Sequence, residues 1–576
     1  MRAGPLRWRF DSATAGSSVH DTATGQRLIL CPECSLCRPR FADGAQESAV
    51  SELTFAADRI TIGYETPNVR NHRTIIREVD DQLELHCEFT AGQDLQLVAL
   101  DILPPQSFLN MYDVVNFRNH HFTPRTWPDL PLGSSFETGT FSEDWQFAPH
   151  PSLLVLRKND IHLLIGAVDL AQGGFGMKFA VDRFALRHWF LDYGAGPHGR
   201  RIAAGETFRS PRLRVFLRHE NDAHKLFEQF GQTLVRVGAI PDPGQRTYPD
   251  WWSEPLYCTW TDQQFISRAE VPVELEAQSA QPDIKPATVL DEALVRKAAA
   301  VIEKHRLPVR TILLDEGWHV TRGQWEPHPE RFPDMRGLVD NLHDRGFKVL
   351  IWLAWPEIFD DAELPARFLA GGARGWTSPT GRRVVDYSST VTQQDYLQPL
   401  ARQLFSSENG CYDFDGFKSD FMADKMHPRT PLADPEWRGE ENYLFRVIRL
   451  YHNAMRAHKP DALHMGGAGH YWLAPHIDLN RTYDVHTSNW REHEARGRML
   501  RSTAPGTILS YDLHDDIENR KAYFRSAARE GAAIQLGNLL TMRDDPAAAP
   551  RPATAADYRQ LRQELEEYIR LRRQNG

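Results

Sequence analysis

The chain has 576 residues, of which 41% are hydrophobic and 25% are charged. That length exceeds one ordinary hydrophobic core, so we expect two or more domains. The net charge of −10 and the lack of a basic stripe exclude a typical nucleic-acid-binding protein and favour a polar or neutral small molecule. The N-terminal segment has no apolar core typical of a signal peptide, and no run of about 18 apolar residues occurs. We therefore expect a soluble, cytoplasmic protein with no membrane partner.

The first elements along the chain indicate an antiparallel β-sandwich. Residues 1 to about 218 contain short alternating or apolar runs, such as residues 53–65, which are separated by Gly, Pro, Asn and Asp. Residues 221–238 have the periodicity of an amphipathic helix, and the Pro-rich segment 241–255 is typical of a linker. We place a β-sandwich domain with a terminal helix at residues 1–240.

Three of the six cysteines, Cys31, Cys34 and Cys37, form the pattern C-x2-C-x2-C. Such a pattern could ligate zinc, but a structural zinc site usually has four ligands and no nearby Cys or His pair supplies the fourth. We expect free thiols in a loop. Whether this segment binds a metal stays open at the level of sequence.

From residue 256 the pattern changes to alternating strands and helices. Eight predicted strands, mostly separated by predicted helices, indicate a (β/α)8 TIM barrel over residues 256–576. The strands are predicted at residues 256–260, 309–318, 347–355, 415–421, 462–469, 478–485, 507–513 and 532–540.

Polar and aromatic side chains stand at the predicted C-terminal ends of five of these strands, where TIM barrels carry their chemistry. They are Asp315, Glu316 and Trp318; Trp352 and Trp355; Lys418 and Asp420; Arg481 and Asp484; and Asp512 and His514. Carboxylates thus arrive from four strands, which a purely structural barrel does not need.

The segment DFDGFKSDFM, residues 413–422, places two charges on one strand. Lys418 and Asp420 are two positions apart and share a face of an extended strand. A charged pair in a mostly apolar strand is costly unless it has a role. Lys418 would lower the pKa of Asp420 and keep the carboxylate available as a nucleophile. A structural ion pair is the alternative interpretation.

Three chemistries can be compared with these residues. Metal catalysis is not supported, because no H-x-H or H-E-x-x-H motif occurs, and GGAGHY at 466–471 lacks the spacing of a dinucleotide-binding loop. Glycoside cleavage needs two carboxyl groups across a sugar ring, one ionised and one protonated. Asp420 fits the first role and Asp484 the second, with Asp512 in reserve. We expect no metal and no organic cofactor.

Residues 315–358 resemble the retaining α-glycosidases of glycoside hydrolase family 36 and its clan relatives, families 27 and 31. The D-D-G-W, W-x-x-P-E and K-x-D motifs of these enzymes correspond to residues 315–318, 352–357 and 418–420, and the second of these carries one extra residue here. The resemblance covers roughly residues 250–515, and it implies a β-supersandwich before the barrel. This chain differs from family 36 in that Glu316 replaces the second Asp, which binds the 4- and 6-hydroxyls of galactose in that family. The segment around Asp484 also lacks the S-D-N motif that is usual in the family.

The resemblance implies that Asp420 is the nucleophile and Asp484 the acid/base. The substrate-binding residues that we expect are Asp315, Glu316, Trp318, Trp352, Lys418, Arg481 and Asp512. The expected function is α-galactosidase-like hydrolysis of terminal α-glycosides with retention of configuration. The alternatives are an α-glucosidase-like hydrolase or transglycosylase of the same clan, and a carbohydrate-binding protein that has lost catalysis. The expected partner is an oligosaccharide or glycoside, and the sequence leaves homo-oligomerisation open.

Overall fold

The computed structural model divides the chain into two compact units. The first comprises Met1–Ile240 and Lys425–Arg446, and the second comprises Pro241–Asp424 and Val447–Gly576. The structure describes all residues except 12–15, 45–47, 116–129, 132, 134–135, 138–151, 170–175, 195–198, 223, 246, 270–283, 356, 360, 373–374, 376, 378–381, 421–429, 438–439, 468–469, 483–489 and 576.

The first unit contains two antiparallel sheets, as the alternating sequence pattern predicts. The eleven-stranded sheet consists of Arg2–Ala3, Leu6–Asp11, Gly16–Asp21, Arg27–Cys31, Arg38–Phe41, Leu95–Asp101, Phe108–Leu109, Phe136–Glu137, Gly176–Asp182, Ala185–Asp192 and Arg200–Ile202. The ten-stranded sheet consists of Ala49–Phe55, Arg59–Glu65, Val69–Val79, Gln82–Ala91, Asp113–Val114, Leu130–Pro131, Leu153–Lys158, Ile161–Ala167, Thr207–Arg209 and Leu213–His219.

Aromatic side chains join the two sheets. The rings of Phe41 and Phe89, one from each sheet, meet edge to face at 5.7 Å, a favoured geometry for aromatic pairs. The predicted terminal helix spans His224–Arg236 and packs on the ten-stranded sheet at Gly166. A Cβ atom there would lie 2.5 Å from the ring of Phe230, so only glycine lets the helix approach this closely.

The three clustered cysteines are free and buried. The thiol of Cys34 donates to the carbonyl of Gly16 at 3.2 Å. Burial raises the pKa of Cys34 to about 11 and that of Cys37 to about 12, so these thiols stay protonated at neutral pH. Across the described ranges, no group of three His, Cys, Asp or Glu side chains is arranged to hold a metal ion.

The second unit is built on eight parallel strands that close into a barrel, as predicted. In chain order, barrel strands 1 to 8 are Leu256–Cys258, Thr311–Leu314, Lys348–Ala354, Gly416–Asp420, Leu463–Gly466, Leu479–Arg481, Ile508–His514 and Ala533–Leu536. The helices that accompany them are Trp260–Ala269, Ile284–Ala287, Glu292–Lys304, Met335–Asp344, Thr390–Thr392, Gln398–Phe405, Glu440–His458, Trp490–Thr503, Ile517–Arg529 and Ala555–Asn575. A π-helical turn, Gln393–Leu397, interrupts the segment after strand 3.

Apolar side chains fill the barrel below the strand ends. The buried cluster includes Leu256, Cys258, Leu313, Leu350, Leu463, Met465, Leu479 and Ala533. At the N-terminal end of the barrel, Asp415 accepts from Lys348 at 3.0 Å and from His343 at 2.7 Å. Asp478, just before strand 6, pairs with Arg456 at 2.8 Å at the same end. Both carboxylates are therefore far from the C-terminal ends of the strands, as predicted for Asp478.

No helix in the described parts of the chain combines the length and the apolar character that crossing a bilayer requires.

Candidate active site

The C-terminal end of strand 4 carries the charged pair that the sequence predicts. The ammonium of Lys418 lies 3.5 Å from a carboxylate oxygen of Asp420, so the two side chains share the inner face of the strand. Phe417, with the opposite parity, stacks on the ring of His464 at 4.3 Å. The side chain of Asp420 is 13% exposed, against 3% for that of Lys418. Asp420 is thus the member of the pair that reaches the opening of the barrel.

Three donors surround the carboxylate of Asp420, of which Lys418 is the first. The indole N–H of Trp352 donates to the carboxylate at 3.1 Å, and the guanidinium of Arg481 lies 3.4 Å from its other oxygen. Burial alone would raise the pKa of Asp420, but the positive charges of Lys418 and Arg481 outweigh burial and hold that pKa below its ordinary value. The carboxylate is therefore ionised at neutral pH, as a nucleophile must be.

Arg481 is held in place by Asp512, which lies in strand 7. The guanidinium of Arg481 contacts both carboxylate oxygens of Asp512, at 2.8 and 3.3 Å. The amide of Gln535 donates to the same carboxylate at 3.2 Å. Because its oxygens already accept from Arg481 and Gln535, Asp512 is suited to positioning Arg481 against Asp420.

Asp315, at the end of strand 2, is the closest partner of Lys418. Its carboxylate lies 2.7 Å from the ammonium, and the thiol of Cys258 donates to it at 3.1 Å. Burial alone would lower the pKa of Lys418, but the charge of Asp315 raises it above its ordinary value. Lys418 is therefore a permanent cation between two carboxylates.

Glu316 forms a bidentate salt bridge that was not predicted. The guanidinium of Arg322 contacts its two oxygens at 2.7 and 2.9 Å, and both side chains are buried. The same guanidinium lies 5.0 Å from the ring of Trp352 and 4.8 Å from that of Phe359. Burial raises the pKa of Glu316, and the charge of Arg322 opposes that rise. The pair links the strand 2 motif to the wall of the site.

We expect the substitution Arg322→Met to destabilise the protein, because it leaves the buried carboxylate of Glu316 without its partner. Breaking a buried ion pair in this way costs about 3–5 kcal/mol of the free energy of unfolding. Thermal denaturation of purified protein measures the effect. The double variant Glu316→Gln/Arg322→Met removes both charges and should recover most of the lost stability. A double variant no more stable than the single variant would show that the salt bridge is not the cause.

Buried aromatic side chains support Trp352. The indole of Trp318 donates to the backbone carbonyl of Trp352 at 2.8 Å, and the ring of His319 stacks on Trp352 at 5.8 Å. Trp318 is fully buried in this structure, so its contact holds the wall of the site. Trp355, by contrast, stacks on Tyr451 at 4.2 Å, on the outer side of the barrel.

The structure thus brings together Asp315, Glu316, Trp352, Lys418, Asp420, Arg481 and Asp512. The predicted acid/base, Asp484, lies outside the described residues. Sequence reasoning did not assign Cys258, Arg322 or Gln535 to the site. Cys258 is the last residue of strand 1 and Gln535 is the last but one of strand 8. Both are therefore close to the C-terminal strand ends, where TIM barrels carry their chemistry. Arg322 lies in the loop beyond strand 2 and carries no such signal.

Comparison with known sequences finds glycoside hydrolases that are similar to the barrel. Residues 286–465 match the profile of the glycosyl hydrolases family 31 TIM-barrel domain. The chain is also 27% identical over 207 residues to the A type blood α-D-galactosamine galactosaminidase of Flavonifractor plautii. This match covers 31% of the chain and spans 18% of the length of that relative.

Comparison with solved structures extends the likeness to both units. The family 36 α-galactosidase AgaA of Geobacillus stearothermophilus has a TM-score of 0.59 at 13% identity, over 100% of this chain and 76% of AgaA. The α-N-acetylgalactosaminidase NagBb of Bifidobacterium bifidum, solved with GalNAc, has a TM-score of 0.64 at 13% identity, over 99% of this chain and 93% of NagBb. The chain therefore has the fold of the family 36 α-galactosidases, and residues 286–465 of its barrel are similar in sequence to family 31.

Proposed function

We propose that the protein is a glycoside hydrolase that removes terminal α-linked galacto-configured sugars with retention of configuration. The observation that carries this proposal is the ionised Asp420 at the end of strand 4, with Lys418, Arg481 and Trp352 around it. A carboxylate held beside cations at this rim can attack an anomeric carbon or stabilise the positive charge that develops there. The α-galactosidase and galactosaminidase relatives support the sugar class.

The proposed reaction has two steps. In the first, an oxygen of Asp420 forms a bond to the anomeric carbon while the glycosidic bond breaks, and the carboxyl group of Asp484 gives its proton to the leaving oxygen. In the second, Asp484 takes a proton from water, whose oxygen displaces Asp420 and releases the α-sugar. The role of Asp484 rests on the family resemblance alone.

The cations beside Asp420 assist both steps. By lowering the pKa of Asp420, Lys418 and Arg481 keep it ionised for attack. The same charges stabilise the carboxylate when it leaves the glycosyl-enzyme, which favours the second step. Asp512 contributes by holding Arg481 at the required distance. Asp315, held by Lys418 and Cys258, offers acceptor oxygens for sugar hydroxyls.

A sequence relative supports an amino sugar as a second candidate substrate. The name of the Flavonifractor plautii relative refers to a galactosamine substrate.

A panel of aryl α-glycosides tests these candidates. We expect the α-galactoside, the α-galactosaminide or both to be hydrolysed at least about 10-fold faster, in kcat/KM, than the α-glucoside, since about 1.4 kcal/mol of transition-state contacts suffices for that ratio. Faster hydrolysis of the α-glucoside would contradict the galacto preference. The second proposal from the sequence, transglycosylation, predicts sugar transfer to an added acceptor sugar. Binding of sugars without turnover of any panel member would support the carbohydrate-binding alternative. A cytoplasmic location stays a prediction from the sequence.

A further inference from the structure

A concave cleft lies on the eleven-stranded sheet of the first unit, and the proposed reaction does not use it. Its volume is about 600 Å³, within the range of ligand pockets, roughly 300–1,000 Å³. Its lining includes Arg9, Ser18, His20, Arg27, Leu30 and Phe108.

The strand register places these side chains in rows across the sheet. Arg9 pairs with Ser18, Ser18 with Leu30, and Leu30 with Phe108, so one row crosses four adjacent strands. With strands about 4.8 Å apart, this row is roughly 15 Å long. In the neighbouring row, His20 pairs with Arg27 on the next strand. The row is long enough for two or three sugar rings.

The cleft is rich in positive charge on a protein whose net charge is −10. Arg9 and Arg27 are both exposed, and neither forms a salt bridge within the part of the chain that the structure describes. Partial burial lowers the pKa of His20, and the charges of Arg9 and Arg27 lower it further. The acidic residue of the lining is Asp11. Two exposed arginines in the lining of one cleft favour an anionic ligand.

Apolar surface adjoins these charges. Phe108 is 43% exposed and Leu30 is 38% exposed, both on the cleft side of the sheet. The ring of Phe108 lies 6.2 Å from that of Phe184, so the two form an aromatic edge. Exposed apolar patches rimmed by polar groups are typical of binding surfaces. A flat ring of this kind matches the apolar C–H face of a pyranose.

We propose that this cleft binds an acidic oligosaccharide. A carboxylate or sulfate group would lie between Arg9 and Arg27, where guanidinium groups bind such anions with paired hydrogen bonds. The adjoining sugar ring would pack on Phe108, and Ser18 and His20, which lie 2.9 Å apart, would contact its hydroxyls. The saccharide part of this inference rests on the proposed function, whereas the anion part does not. A binding site on the same chain would raise the local concentration of a glycan substrate.

Isothermal titration calorimetry of the full chain at 0.15 M NaCl tests the proposal. The probes are a chondroitin sulfate hexasaccharide, a polygalacturonate hexasaccharide, a neutral galacto-oligosaccharide and inorganic sulfate. We expect at least one acidic hexasaccharide to bind at least about 10-fold more tightly than the neutral one. We expect the variant Arg9→Gln/Arg27→Gln to weaken that binding at least about 10-fold, since it removes both charged hydrogen-bond donors.

The matched control is Arg59→Gln/Arg70→Gln, which removes the same charge from exposed positions on the ten-stranded sheet. This control should bind as the wild type does. Equal weakening in both variants, unchanged binding in Arg9→Gln/Arg27→Gln, or equal binding of the neutral probe would overturn the proposal. Tight binding of inorganic sulfate alone would overturn its saccharide part. Hydrolysis of aryl glycosides, measured in parallel, should be the same in all three proteins, so that the glycosidase proposal and the cleft proposal fail separately.

Discussion

Replacing Asp420 by alanine is expected to lower kcat on an aryl α-galactoside or α-galactosaminide by a factor of at least about 10⁴, the order seen when a catalytic nucleophile is removed. The physical reason is that Asp420, alone among the described carboxylates of the site, lies beside two cations and also reaches the opening of the barrel. Steady-state kinetics with purified protein measures the loss.

The variant Asp420→Asn separates catalysis from structure. Asparagine has nearly the same shape and keeps an oxygen to accept from Trp352, so the wall of the site should remain intact. We expect the same loss of kcat with an unchanged melting temperature. Asp340→Asn, at an exposed position of the helix Met335–Asp344, is a matched control that should retain wild-type activity. If Asp420→Asn kept about a tenth of the wild-type kcat, Asp420 could not be the nucleophile.

Replacing Lys418 by methionine is expected to have the second largest effect. Lys418 holds the pKa of Asp420 down, so its removal raises that pKa. As pH falls, the variant would then lose its ionised nucleophile at a higher pH than the wild type. The acidic limb of the kcat/KM profile should move upward by about 1 pH unit or more. A full pH–rate profile measures the change.

Lys348→Met provides the control for this substitution. Lys348 pairs with Asp415 at 3.0 Å at the N-terminal end of the barrel, away from the proposed chemistry. Its removal should lower thermal stability and leave the acidic limb of the profile where it is. A folded Lys418→Met protein whose acidic limb coincides with that of the wild type would contradict the electrostatic role of Lys418.

The barrel could be predicted from the sequence because buried parallel strands are continuous apolar runs. The run 347–355, for example, forms strand 3 at Lys348–Ala354. The strands of the first unit are harder to delimit from the sequence. The run 53–65 belongs to a hairpin whose strands, Ala49–Phe55 and Arg59–Glu65, pair with each other. Its turn lies in an Ala-Ala-Asp segment that lacks the Gly or Pro by which turns are usually recognised.

The sequence predicts those parts of the candidate site that depend on local strand geometry alone. Side-chain alternation places Lys418 and Asp420 on one face without reference to other strands. The stronger contact of Lys418 with Asp315, at 2.7 Å against 3.5 Å for Asp420, depends on how strands 2 and 4 converge inside the barrel. The salt bridge of Glu316 depends on a loop in which Gly323 adopts a φ of 97° beside Arg322. Tertiary distances of this kind leave no periodic signal in a sequence.

The central claim is that Asp420 forms a covalent bond to the sugar. Mass spectrometry can test it directly after incubation with a fluorinated α-galactosyl substrate, whose glycosyl-enzyme ester hydrolyses slowly enough to survive proteolytic digestion. We expect one glycosylated peptide, with the sugar on Asp420. A sugar attached to a different carboxylate, or complete turnover that yields the β-anomer first, would contradict it.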